Sequence, residues 1–122
     1  MKTEDILRLL HFTYWADHRS KEVTEISIRN SKCYGILGDG YKLIGFARVI
    51  TDYATTYYLC DVVIDPEWRH RGLGTALISF IENSPEYQGL KGFLITRSAH
   101  KLYERFGYKT ENDKMMVKGL DW

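Results

Sequence analysis

Two rhythms of apolar residues run along the chain, and the switch between them marks out its elements. Ile6, Leu7, Leu10 and Tyr14 share one face of a helix that Thr3 can cap. A second helix is predicted after Ser20, through Val23 and Ile26 to about Asn30. The period then becomes that of strands. Cys33–Leu37 is a short strand, and Gly38-Asp39-Gly40 is a turn rich in residues that tolerate positive φ. Tyr41–Thr51 and Thr56–Ile64 are longer strands joined by a turn over 52–55. Neither shows clean polar alternation, so both are expected inside a sheet.

The helical rhythm returns from Gly72 to Asn83. Leu73, Ala76, Leu77, Phe80 and Ile81 form an apolar stripe, and Ser84-Pro85 stops it. Phe93–Thr96 reads as a short buried strand. Ala99, Leu102, Tyr103 and Phe106 mark a last helix, closed by Gly107, and the tail offers a terminal strand around Met115–Val117. The order is α-α-β-β-β-α-β-α-β. Thr56–Thr96 is a β-α-β unit with parallel strands and a right-handed crossover, whereas the earlier strands form antiparallel hairpins. The expected class is α+β, layered around a mixed sheet.

Length and composition narrow the function classes. The 122 residues fit one domain spanning residues 1–122. A net charge of +1 lacks the basic excess that nucleic-acid binding uses. No apolar run approaches the ~20 residues of a membrane span. Lys2, Glu4, Asp5 and Arg8 rule out an apolar leader, so a cytoplasmic location is expected. Cys33 and Cys60 sit in apolar strands without metal-ligand spacing; they read as packed, reduced thiols, and no metal is expected.

The chemistry concentrates where a buried strand gives way to a helix. After Ile64 a loop carries Arg69, His70 and Arg71, and Gly72-Leu73-Gly74 opens the helix. A helix start offers unpaired N–H groups and partial positive charge, and glycines let a ligand approach the backbone. Two arginines beside it suit a pyrophosphate. The competing reading is that the glycines only allow close helix–sheet packing. The segment is not a Walker A loop, and Leu77 breaks a Rossmann fingerprint.

Arg69-His70-Arg71-Gly72-Leu73-Gly74 resembles the Arg/Gln-x-x-Gly-x-Gly/Ala signature of the GCN5-related N-acetyltransferase (GNAT) superfamily. Downstream, Ala99-His-Lys-Leu-Tyr-Glu-Arg-Phe-Gly-Tyr108 is similar to that family's Ala-x-x-Leu-Tyr-Glu-Lys-x-Gly-Phe helix. Tyr14-Trp15-Ala16, Gly45–Asp52 and Asp61-Val62 resemble a compact bacterial-type subgroup. The resemblance implies a GNAT-like three-layer α/β/α fold with a mixed, mostly antiparallel sheet. It also implies acetyl transfer from acetyl-CoA, a co-substrate, to a primary amine of a small molecule or peptide. A catalytically silent acyl-CoA-binding module of the same fold is the alternative.

Carried over residue by residue, the resemblance assigns CoA contacts to Val62, Val63, Ile64, Arg69, His70, Arg71, Gly72, Leu73, Gly74 and Thr75. Tyr103 matches the tyrosine that protonates the departing thiolate, and Tyr14 and Trp15 fall where relatives place acceptor-site helices. Asp61 is a base candidate, weighed against a structural ion pair with Arg48 across the hairpin. Two departures stand out. The family's first strand is absent ahead of the first helix, leaving a bare sheet edge that suggests a homodimer. Thr96 replaces an asparagine that contacts CoA in relatives.

Overall fold

The computed structural model describes residues 1–119. Helix α1 (Thr3–Leu10) is followed by α2 (Lys21–Arg29), whose start is capped by the Ser20 hydroxyl, accepting from the Val23 N–H at 3.2 Å. Strands β1 (Lys32–Leu37), β2 (Leu43–Thr51) and β3 (Thr56–Ile64) form an antiparallel meander. Helix α3 (Leu73–Glu82) crosses over to β4 (Lys91–Phe93), which pairs parallel to β3. Helix α4 (His100–Glu104) follows. The sheet order is β1-β2-β3-β4, so both long strands lie inside it.

Two cores form because β2 alternates its side chains between the faces. On one face Phe46 packs with Ile6, Leu9 and Leu10 of α1, joined by Leu43, which an irregularity in the β1–β2 register brings to the same side. On the other, Ala47 and Val49 pack with Leu77, Ile78 and Ile81 of α3 and with Tyr87 and Tyr103. This is the expected three-layer arrangement with a mixed sheet.

Several local expectations are corrected. Lys2, not Thr3, is the N-cap of α1; the helix ends at Leu10, so Tyr14 lies beyond it and Leu9 joins its buried face. Residues 39–41 form a 3-10 turn, which delays β2 to Leu43. Helix α3 buries Leu77, Ile78 and Ile81 and leaves Phe80 67% exposed. It carries apolar residues on nearly every face, so periodicity alone found Leu77 and Ile81 but took Phe80 in place of Ile78. Among the described residues the predicted terminal strand does not form: 115–117 have no ladder partner there, and Met116 is 96% exposed.

The correction that matters most concerns β4. It occupies 91–93 rather than 93–96, and pairs with β3 only through Thr56↔Lys91, Tyr57↔Gly92 and Tyr58↔Phe93. Beyond Phe93 the chain leaves the sheet. Thr96 Oγ1 then accepts the Ala99 N–H at 2.9 Å and turns the chain into α4. From Leu59 onward β3 therefore faces a widening gap instead of a neighbouring strand.

Candidate active site

The far half of β3 is shaped by a bulge. Phe46 pairs with Val63 and Arg48 with Cys60, so Asp61 and Val62 together oppose the single residue Ala47. Asp61 takes φ +55°, a left-handed conformation that Asp and Asn tolerate better than most residues. The Asp65 N–H donates to the Ile44 carbonyl at 2.7 Å, which directs residues 65 and 63 toward β2. By alternation, the main-chain groups of Val62 and Ile64 point into the gap. Val63 turns away from it and packs against α1.

Asp61 is 5% exposed and fully engaged. Its Oδ1 accepts from Trp15 Nε1 at 2.9 Å; its Oδ2 accepts from Arg19 Nη1 at 2.7 Å and Arg48 Nε at 2.9 Å. Burial opposes its ionisation, but the Arg48 and Arg19 guanidiniums outweigh that and hold the carboxyl below the usual carboxylate range. The arrangement is an ion pair with two arginines. A carboxylate so held is a weak proton acceptor, and the geometry favours an orienting role for Asp61 over a base.

A cavity of about 270 Å³ opens beside this cluster, between β3 and the 95–99 turn. Tyr14, Trp15, Arg19, Arg48, Tyr58, Cys60, Asp61, Val62, Arg97 and Tyr103 contribute to its wall. It thus gathers five predicted site residues from distant segments: Tyr14, Trp15, Asp61, Val62 and Tyr103. Tyr103 is 9% exposed, and its hydroxyl makes no hydrogen bond among the described residues. Burial, with a smaller push from Glu82, raises its hydroxyl to about 12, so it stays protonated across the physiological range. Burial likewise pushes the Cys60 thiol up to about 12, which keeps it a neutral thiol and a poor nucleophile.

Arg69, His70, Arg71, Gly72, Leu73, Gly74 and Thr75 lie outside this cavity, at the end of β3. Asp65 anchors the turn that leads to them, accepting from the Glu67 N–H at 3.0 Å and from Arg8 Nη1 at 3.0 Å. Arg69 Nε donates to the Ile64 carbonyl at 3.3 Å, and the Arg71 guanidinium stacks 4.6 Å from the Trp68 ring. The exposed His70 has φ +64°. The first bond of α3 runs from the Ala76 N–H to the Gly72 carbonyl at 3.0 Å, which leaves the N–H groups of Leu73, Gly74 and Thr75 open.

The packing explanation for the two glycines fails. A Cβ on Gly72 would meet none of the described residues within 4 Å, and one on Gly74 would sit at an ordinary 3.7 Å from Ile64 Cγ1. Gly72 is instead required by its left-handed φ of +76°. Gly74 leaves a helix start bare without any demand from the protein itself. Gly74→Ala is accordingly expected to raise stability by about 0.5–1 kcal/mol. Thermal denaturation checks this, and a loss would reveal a backbone constraint at that position.

Sequence reasoning missed Arg19 and Arg97. Arg19 reaches Asp61 from 42 residues away, and no local pattern announces it. Arg97 lies two residues before the Ala99–Tyr108 motif, and a basic residue beside such a motif was the available signal. Thr96 spends its hydroxyl on the turn into α4, as described above.

Comparison with known proteins places this geometry. The acetyltransferase (GNAT) domain profile matches residues 29–110. GCN5-related N-acetyltransferase 2, chloroplastic, of Arabidopsis thaliana is 30% identical over 92 residues, 70% of this chain and 35% of that protein. The chain spans a third to just over half of the length of the curated relatives it matches. A crystal structure from Xanthomonas campestris pv. campestris, assigned to the GNAT family, superposes with a TM-score of 0.91 at 36% identity, covering 98% of this chain and 87% of that one. The ribosomal-protein-S18-alanine N-acetyltransferase of Escherichia coli shares the fold, with a TM-score of 0.75 at 20% identity over 90% of this chain and 73% of its own. Since the domain profile covers well over half of the sequence, this chain belongs to the GNAT family of acetyltransferases.

Proposed function

We propose that the chain transfers the acetyl group of acetyl-CoA directly to a primary amine. The observation that carries this reading is the gap itself: β3 loses its parallel partner after Tyr58, directly between an open helix start and a buried tyrosine. Acetyl-CoA supplies an acyl thioester with a good thiolate leaving group. The chain's own residues fit such a donor. The outward main-chain groups of Val62 and Ile64 suit a pantetheine arm bound like an added strand. The open N–H groups of Leu73, Gly74 and Thr75, with Arg69 and Arg71, suit its diphosphate. A Cβ on Gly72 would meet none of the described residues within 4 Å, which leaves that backbone open to a ligand.

The remaining residues divide the work. A N–H from the β3 edge polarises the thioester carbonyl. The amine enters from the cavity walled by Tyr14 and Trp15. The new C–N bond forms as the C–S bond breaks, and in net terms the amine's surplus proton passes to the sulfur. Tyr103 meets the departing sulfur as a protonated hydroxyl and gives it a proton, and the amine's surplus proton restores the hydroxyl. The burial that raises Tyr103 raises a thiol beside it as well, as at Cys60. Because Cys60 is a neutral thiol, the reading is direct transfer rather than an acyl-cysteine relay.

Tyr103→Phe is expected to lower kcat about a hundredfold while leaving CoA affinity nearly unchanged. A thiol-release assay over an amine panel and calorimetric titration with CoA read the two quantities. Equal losses in both would make Tyr103 a packing residue. CoA binding by the wild-type chain without thiol release on any amine would favour the silent acyl-CoA-binding module.

A further inference from the structure

The cavity that admits the amine carries a charge imbalance that acetyl transfer by itself does not require. Three guanidiniums, Arg19, Arg48 and Arg97, line it, against one carboxylate, Asp61. Three positive charges less one negative leave an excess of two. No other acidic residue lines it among the described residues. Two of the arginines are far from free solvent: the side chains of Arg19 and Arg48 are 19% and 11% exposed. Uncompensated charge in such a place is costly, and it calls for a counter-charge.

The donors also point to an anion. Asp61 occupies Nη1 of Arg19 and Nε of Arg48, and Ser31 Oγ accepts from Nη1 of Arg48 at 3.0 Å. Nε and Nη2 of Arg19 and Nη2 of Arg48 have no protein partner among the described residues. No buried polar side-chain atom there lacks one, so these groups are open to the cavity solvent. Arg97 is held at the rim by the Tyr14 ring, with its guanidinium carbon 3.8 Å from the ring centroid. A fork of planar donors around a small space is the geometry that matches a carboxylate or a phosphate.

We propose that the acceptor is a small amine bearing an anionic group, carboxylate or phosphate, which docks against Arg19, Arg48 and Arg97 while its amine faces Val62 and Tyr103. This rests on the amine-acetylation reading above. The volume of about 270 Å³ has room for roughly nine waters at ~30 Å³ each, which sets the scale of a compact metabolite rather than a folded protein. Polycationic acceptors are disfavoured by the same charges: Asp61 already accepts from three donors and is 5% exposed, so it offers little to a second ammonium group.

Initial rates with matched acceptors test the idea: β-alanine against propylamine, O-phosphoethanolamine against ethanolamine, and spermidine as the polycation. The anionic member of a pair is expected to show a kcat/KM roughly tenfold or more above its neutral partner. The two pairs separate carboxylate from phosphate. Arg97→Ala should collapse the ratio, and Arg97→Glu should invert it. The exposed position of Arg97 lets both variants fold, and thermal melting verifies this. A preference for neutral amines or spermidine would overturn the proposal, as would a ratio indifferent to both variants. Calorimetric titration of the two anionic amines into the CoA-saturated protein separates this inference from the catalytic reading. Binding that depends on Arg97 without turnover of any amine supports the anion site and sinks the chemistry. Equal turnover of charged and neutral amines does the reverse.

Discussion

Asp61→Asn is expected to lower the stability of the folded chain by about 3–5 kcal/mol. The carboxylate is the shared counter-charge of two guanidiniums that are themselves mostly buried, and removing its charge leaves both without an anionic partner. Asparagine isolates this effect because it tolerates the left-handed φ of +55° that the bulge imposes. Alanine there would add backbone strain to the electrostatic loss. Urea denaturation measures the change, and a loss below about 1 kcal/mol would mean that the arginines find other partners. The same carboxylate fixes the acid limb of stability. Its folded pKa is depressed, so the unfolded chain binds the proton first as pH falls. Its stabilisation is complete above the ordinary carboxylate pKa and disappears as pH drops through the lower folded value. Asp61→Asn should therefore flatten the stability profile on the acid side.

The second large effect is on donor binding. Gly72→Asp should reduce CoA affinity by roughly a hundredfold or more, since it sets a negative charge where the open N–H groups of α3 would meet a diphosphate. Stability should fall far less, by about 1–2 kcal/mol, the cost of a left-handed conformation for a residue with a Cβ. The added Cβ clashes with none of the described residues, because the space around Gly72 is empty of them to 4 Å. Gly72→Ala carries the same backbone strain without the charge, and its affinity should lie between the two. Calorimetry on all three proteins decides the matter. Wild-type affinity in Gly72→Asp would place the diphosphate elsewhere.

Which parts of this architecture the sequence disclosed follows from how local the causes are. The β2–β3 hairpin, the crossover helix and the Arg48–Asp61 pairing were legible because each depends on periodicity and short-range register. The Arg69–Gly74 and Ala99–Tyr108 segments were legible as motifs. The gap was not: Phe93–Thr96 is as apolar as a strand, and only the sheet's three-dimensional course shows that it departs after one paired turn of the ladder. Arg19 was invisible because its role exists only once the segment after α1 packs over β3. The burial of Ile78 was missed because α3 offers apolar residues in almost every direction, and the choice of face is made by the sheet beneath it. The tail was overread, since Met115–Val117 has strand composition but no neighbour among the described residues to pair with.

The brief parallel ladder between β3 and β4 has a mechanical meaning. Three residue pairs form the seam by which the segment carrying α4 is stitched to the meander. A seam so short needs help from side chains: Tyr103 packs in the core with Leu77 and Ile78, and the Tyr108 hydroxyl donates to Glu82 Oε1 at 3.1 Å, so these contacts hold the wedge between Tyr103 and the bulged strand. A donor arm lying along β3 would brace that wedge from within. Loading would then supply main-chain pairing along the stretch of β3 where β4 offers none.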